Sequence, residues 1–216
     1  MNTLIIGATG ATGRALLPLL VAAPAVARID SYGRRAPDIS AAKLHHYTID
    51  FSQPQQWADD VRGDTAFICL GTTLKAAGSK TAQWQIDYQA ALDFATAARN
   101  NGATTLALIS AAGADPASRI FYSRMKGKLE QAVTALKFPH LLIFRPPLLI
   151  RPDSDRFGEK LAERLFAACN AVGLLQNQRP LPVADLARAM LKTASNPPPG
   201  KVRIYPPADI RALLRG

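Results

Sequence analysis

Tyr122 and Lys126 lie four residues apart in a stretch that reads as a helix, so both side chains leave the same face, one turn from each other. That pairing suits acid–base chemistry. A lysine ammonium beside a phenol lowers the phenol's pKa and can hold a nucleotide ribose hydroxyl, while the tyrosine passes a proton to or from a carbonyl or alcohol oxygen. Ser110, twelve residues before Tyr122 at the tip of an apolar run, is placed to hydrogen-bond that same oxygen. Taken alone the pair means little, because this spacing is common on helices and tyrosine is a routine half-buried core residue. Its weight comes from what precedes it.

Residues 4–13 read Leu-Ile-Ile-Gly-Ala-Thr-Gly-Ala-Thr-Gly: a strand, a tight turn and a helix start. Unpaired N–H groups and the helix dipole at such a junction favour a pyrophosphate. Gly7 permits the turn, Gly10 lets phosphates approach the backbone and Gly13 lets the helix pack on the strand, with Thr9, Ala11 and Thr12 completing the cradle. The spacing is G-x-x-G-x-x-G rather than the usual G-x-G-x-x-G, and a plain strand-to-helix turn is the blander alternative.

Along the chain, short apolar runs alternate with helical patterns. Strands are expected at residues 27–33, 43–49, 65–70 and 104–109, with a long helix over 79–101. This alternation predicts an α/β fold with a doubly wound parallel sheet of Rossmann type, residues 1–216 forming one domain. Residues 147–200 are expected to make a short substrate-side appendage, with helices over 157–172 and 184–194 and a closing strand over 201–205.

The second strand ends in Gly33-Arg34-Arg35, where dinucleotide folds place a carboxylate for NAD or an arginine for the 2′-phosphate of NADP. Two arginines and no carboxylate favour NADP(H) over NAD(H), unless they merely end the strand in solvent. Asp50 and Phe51 end the third strand, where they could meet an adenine or simply cap the next turn. Leu70, Gly71 and Thr72, at the end of the fourth, supply the small and hydroxylated positions that a cofactor crevice needs.

The charge balance, 26 Lys+Arg against 16 Asp+Glu, gives +10, but the basic residues are scattered without a stacking platform, so nucleic acid is not expected as primary partner. Arg151 or Arg156 could meet an anionic substrate, though solvated arginines are the plainer reading. His45, His46, His140, Cys69 and Cys169 form no metal-ligand spacing, and no metal site is expected. Two isolated cysteines suggest a reducing, cytoplasmic setting. No run approaches the ~20 apolar residues of a membrane span. The stretch from Arg14 to Ala27 imitates a signal peptide, but cleavage there would remove the glycine turn from an otherwise complete pattern.

With these residues the chain resembles the short-chain dehydrogenase/reductase superfamily, in its atypical branch, closest to the Tat-interacting-protein-like NADPH-binding oxidoreductases. The likeness runs from Gly7–Gly13 through Cys69-Leu70-Gly71-Thr72-Thr73, Ile86-Asp87-Tyr88, Leu108-Ile109-Ser110, Gly113-Ala114-Asp115 and Tyr122–Gly127 to Phe144-Arg145-Pro146 and Leu181-Pro182-Val183. It implies Ser110, Tyr122 and Lys126 as a catalytic trio, Leu70 and Gly71 along the cofactor, and Pro146 to Leu148 near the nicotinamide. It implies hydride transfer to or from a small carbonyl or alcohol substrate. Two departures stand out: no relay asparagine is evident, Asp87 taking the nearby position, and Ala111 follows Ser110 where relatives can carry a second serine. They leave room for a non-catalytic NADPH sensor and, further off, for an epimerase that retains its NADP. A protein partner or a homodimer also stays open.

Overall fold

The structure, a computed structural model, describes residues 1–150 and 179–215. Strand β1 (Asn2–Ile6) buries four successive residues, Thr3 to Ile6, because helices cover both faces of the sheet; a half-exposed strand would alternate instead. The same unbroken burial marks β4 (Thr65–Ile68) and β5 (Thr105–Ile109). With β2 (Arg28–Gly33), β3 (Leu44–Thr48), β6 (His140–Phe144) and β9 (Val202–Tyr205) they form a seven-stranded sheet, order β3-β2-β1-β4-β5-β6-β9, in which every pairing is parallel. Two further short strands, β7 (Leu149–Ile150) and β8 (Leu181–Pro182), pair in parallel beside the main sheet. This is the expected Rossmann-like α/β architecture.

The chain reverses its direction of travel across the sheet between β1 and β4. A doubly wound sheet opens its ligand crevice at that switch, beyond the carboxyl ends of the strands. On one face lie α1 (Ala11–Ala22) and α6 (Val183–Ser195), sharing a core of Leu16, Leu17, Leu20, Leu186 and Met190. The other face is covered by α4 (Ala90–Asn100) and α5 (Phe121–Ala135), which contribute Phe94, Ala95, Leu129 and Val133. The stretch that imitates a signal peptide is α1, buried on its sheet-facing side.

Between β3 and β4, residues 53–61 form two single 3₁₀ turns, Pro54–Gln56 and Ala58–Asp60. The long helix is three segments: α2 (Leu74–Ala77) precedes it, α3 (Lys80–Trp84) begins at Ser79, whose Oγ accepts the Ala82 N–H at 3.0 Å, and a π turn over Gln85–Gln89 separates α3 from α4. A π turn inserts one extra residue into the helical ladder and is frequent at functional positions; Asp87, fully buried, sits in this one. The expected helix over 157–172 and Arg151, Arg156 and Cys169 lie outside the described residues. The last helix is α7 (Pro207–Ala212).

Candidate dinucleotide and active site

The glycine turn is built by close approach. Gly7 has φ +85°, and a Cβ there would stand 2.7 Å from the Cys69 carbonyl carbon, so the ends of β1 and β4 meet across the switch point only because Gly7 has no side chain. A Cβ on Gly13 would lie 2.1 Å from Gly7 O, so Gly13 sits under the turn, holding α1 against it rather than facing the crevice. Gly10 N donates to Gly7 O at 3.0 Å, and α1 begins with no side-chain cap. The N–H groups of Ala11, Thr12 and Gly13 precede any possible i−4 partner in the helix and stay available for an anion.

Two adjoining cavities open above the sheet and share Gly10, Cys69, Leu70, Gly71 and Thr72. The smaller, about 180 Å³, extends over β2 and is bounded by Gly7, Thr9, Arg34, Arg35 and Phe51. The Arg34 guanidinium stands 5.5 Å from the centre of the Phe51 ring. Among the described residues no carboxylate lines this cavity; Asp30 is buried in the strand and paired with Arg28 at 2.9 Å. The larger cavity, about 710 Å³, runs past Ala11 and Thr12 to Ser110, Tyr122, Lys126, Pro146 and Leu148. Two adjoining compartments with an anion cradle between them fit an extended dinucleotide.

Asp50 is the exception among the candidate residues. Its carboxylate accepts the Ser52 N–H at 2.9 Å and bonds the Ser52 hydroxyl and the Gln53 amide, and these bonds hold its pKa below the usual carboxylate value. Its role is to cap the turn; only Phe51 of that pair faces a cavity.

At the far end, α5 carries the chemical groups. Lys126 is 2% exposed, and its Nζ donates to Ile109 O at 3.4 Å. Burial pushes its pKa down, while Asp87 and Glu130 oppose that shift. Desolvation, then the Asp87 carboxylate, pushes the Tyr122 phenol up to about 12. Tyr122 is still 40% exposed, so solvent tempers the effect, but its direction is upward, opposite to the lowering expected from Lys126, because burial and the Asp87 charge prevail; at neutral pH Tyr122 carries its proton. Ser110 lines the cavity, yet its hydroxyl donates to Glu130 Oε1, and Glu130 in turn receives Arg145 Nε at 3.0 Å and Nη2 at 2.5 Å. The Ser110 hydrogen therefore points to a carboxylate instead of a substrate oxygen, contrary to the simplest expectation. Reading the sequence missed Glu130. The available signal was its place four residues beyond Lys126, a carboxylate among the buried Leu129 and Val133.

Two side chains clamp the turn after β4. Asp87 Oδ1 accepts the Thr72 N–H at 2.8 Å, and Gln83 Nε2 donates to Thr72 O at 2.9 Å. Gly127 lets α5 press on the preceding loop, since a Cβ there would fall 2.2 Å from Pro116 N.

A parallel sheet with an uncapped helix start at its switch point and a groove leading to a Tyr–Lys pair defines a dinucleotide-binding protein of the Rossmann class. The profile of the NAD(P)H-binding family matches residues 7–154, so the chain belongs to that family and carries its dinucleotide-binding domain. Its curated relatives are Fmp52-type proteins. The chain is 39% identical over 173 residues to "Protein fmp52, mitochondrial" of Emericella nidulans, covering 77% of this chain and 74% of that protein. It is 29% identical to "Protein FMP52, mitochondrial" of Candida albicans over 90% of this chain and 88% of that one. Among solved structures, the UDP-glucose 4-epimerase of Thermus thermophilus in complex with NAD superposes with a TM-score of 0.70 at 14% identity, covering 100% of this chain and 83% of that chain. That likeness is one of fold. The expected NAD(P)-binding domain of Rossmann type is thereby upheld.

The cytoplasmic expectation is overturned: the curated relatives are named mitochondrial. Isolated thiols report a redox environment, not an address, and Cys69 is a buried residue bordering both cavities, whose thiol desolvation pushes up to about 12. Among the described residues no helix is long and apolar enough to cross a membrane, and no cluster of three metal-ligating side chains occurs.

Proposed function

We infer that the protein is an NADP(H)-dependent oxidoreductase acting on a small carbonyl or alcohol substrate. The observation that carries this reading is the groove running from the glycine turn to Tyr122 and Lys126. Arg34 and Arg35 at the opposite end, without a competing carboxylate among the described lining residues, favour a 2′-phosphate.

A bound NADPH would supply hydride from its nicotinamide ring, at the end of the groove bordered by Pro146 and Leu148. The uncapped N–H groups of α1 would hold its pyrophosphate. Tyr122, a phenol at neutral pH, serves as general acid and passes its proton to the carbonyl oxygen as that oxygen gains negative charge. Lys126 stands one turn away and stabilises the phenolate left behind. Ser110 fixes the wall through Glu130 and Arg145 and offers the substrate only its lone pairs while that bond lasts.

The test is NADPH consumption across a panel of aldehydes and ketones with wild type and Tyr122→Phe. Loss of a general acid should lower kcat by about 10²–10⁴-fold; a Tyr122→Phe variant as fast as wild type removes the mechanism. A second reading, an NADPH-binding sensor without turnover, is favoured by the commitment of the Ser110 hydroxyl to Glu130. It predicts no turnover on the panel and a protein partner retained only with NADPH present. The names of the relatives support a mitochondrial address, which organelle fractionation with an antibody to the chain would check.

A further inference from the structure

Among the described residues, Asp87 is the one fully buried carboxylate beside the Tyr–Lys pair that the acid–base reading leaves unused. It comes from the π turn that faces α5, and is 0% exposed. One oxygen accepts the Thr72 N–H, while the other, Oδ2, is buried without any hydrogen-bond partner. A fixed carboxylate oxygen without a donor is costly to bury unless a positive charge offsets it. From α5 it is faced by Lys126 and Tyr122, with no direct ion pair to the Lys126 ammonium, and from α3 by Gln83, whose amide also favours the ionised carboxylate; the opposing positive charge is that of Lys126. Lys126 has a complementary deficit. Its ammonium carries three donors, yet among the described residues its hydrogen bonding is one long contact to Ile109 O, and its second anionic neighbour, Glu130, is already engaged by Arg145.

We propose that Asp87 is a positioning residue whose carboxylate keeps Lys126 charged inside the core and so holds the Tyr122 site in its working protonation state. The inference rests on the acid–base reading of Tyr122 and Lys126 for its consequence, but not for its measurement. Asp87 and Lys126 titrate as a coupled pair: each counters the desolvation that would neutralise the other. Without Asp87, burial dominates and the ammonium loses its proton at lower pH.

The experiment is a pH titration of the cofactor-free, full-length protein carrying ¹³Cε-labelled lysine, followed by NMR, with the Lys126 signal assigned by Lys126→Arg. Asp87→Asn removes the charge but keeps an oxygen to accept the Thr72 N–H. The Lys126 midpoint should fall by about one pH unit or more in Asp87→Asn; an unchanged midpoint overturns the proposal. Should that variant fail to fold, the wild type still decides, because a Lys126 already neutral at about pH 8 refutes a carboxylate that holds its charge. The alkaline limb of NADPH affinity should move by the same amount in Asp87→Asn. Absence of any NADPH binding to the wild type would remove the functional reading, while the lysine titration would continue to support or overturn the role of Asp87.

Discussion

Two alanine substitutions in the glycine turn separate its structural task from its binding task. In Gly13→Ala the new Cβ would start 2.1 Å from Gly7 O and 2.7 Å from Ala8 Cα. Both obstacles are backbone, so the helix start must retreat by roughly an ångström or more to restore ordinary contact. Overpacking of this kind costs about 1–3 kcal/mol. In a chain of this size that lowers Tm by about 2–12 °C, and the same retreat spoils the N–H cradle. In Gly10→Ala the nearest obstacle is Gly7 O at 3.3 Å, which needs a shift of only tenths of an ångström. That variant should melt within about 2 °C of wild type, yet bind NADPH at least about tenfold more weakly, because its methyl occupies the space through which phosphate reaches the backbone. Differential scanning fluorimetry and NADPH fluorescence titration give both numbers on the same samples. A Gly13→Ala protein with wild-type Tm would refute the packing argument; a Gly10→Ala protein with wild-type affinity would refute the cradle.

Glu130→Gln breaks a buried ion pair, which costs about 3–5 kcal/mol when both partners are enclosed. Because the Arg145 side chain keeps 30% of its surface exposed, about 2 kcal/mol is the expected loss, read by urea denaturation, and an unchanged midpoint contradicts it. At alkaline pH the sign follows from the phenols. Tyr32, whose hydroxyl donates to Asp60 O at 2.7 Å, and Tyr122 are both raised above the ordinary 10.0. Each therefore binds its proton more tightly folded than unfolded, and the associated stability is complete below pH 10 and lost as pH climbs through the folded values. Tm should fall from about pH 10 upward and fall less steeply in Tyr32→Phe; equal slopes in the two proteins would contradict the assignment.

The glycine turn, the strand ends and the Tyr122–Lys126 spacing were legible because each is a local pattern whose geometry follows from chain periodicity. Gly13 was legible too, as a residue of close packing. Asp50 was not, since an aspartate at a strand end can bind a ligand or cap a turn, and only the positions of Ser52 and Gln53 decide between them. The π turn was hidden for a different reason: apolar spacing over residues 79–101 averages through one inserted residue, so an unbroken helix and a bulged one read alike. Its consequence, the burial of Asp87 against the turn after β4, is a tertiary fact. The Ser110–Glu130–Arg145 network likewise joins β5, α5 and the end of β6, segments whose contact no local pattern reports.

The central claim is that the groove takes NADP(H), with Arg34 and Arg35 reading the 2′-phosphate. Calorimetric titration of NADPH and NADH into the wild type and into Arg34→Ala/Arg35→Ala tests it directly. NADPH should bind the wild type at least about tenfold more tightly than NADH, a difference of about 1.4 kcal/mol, and that advantage should vanish in the double variant. Equal affinity of the wild type for the two dinucleotides would contradict the account.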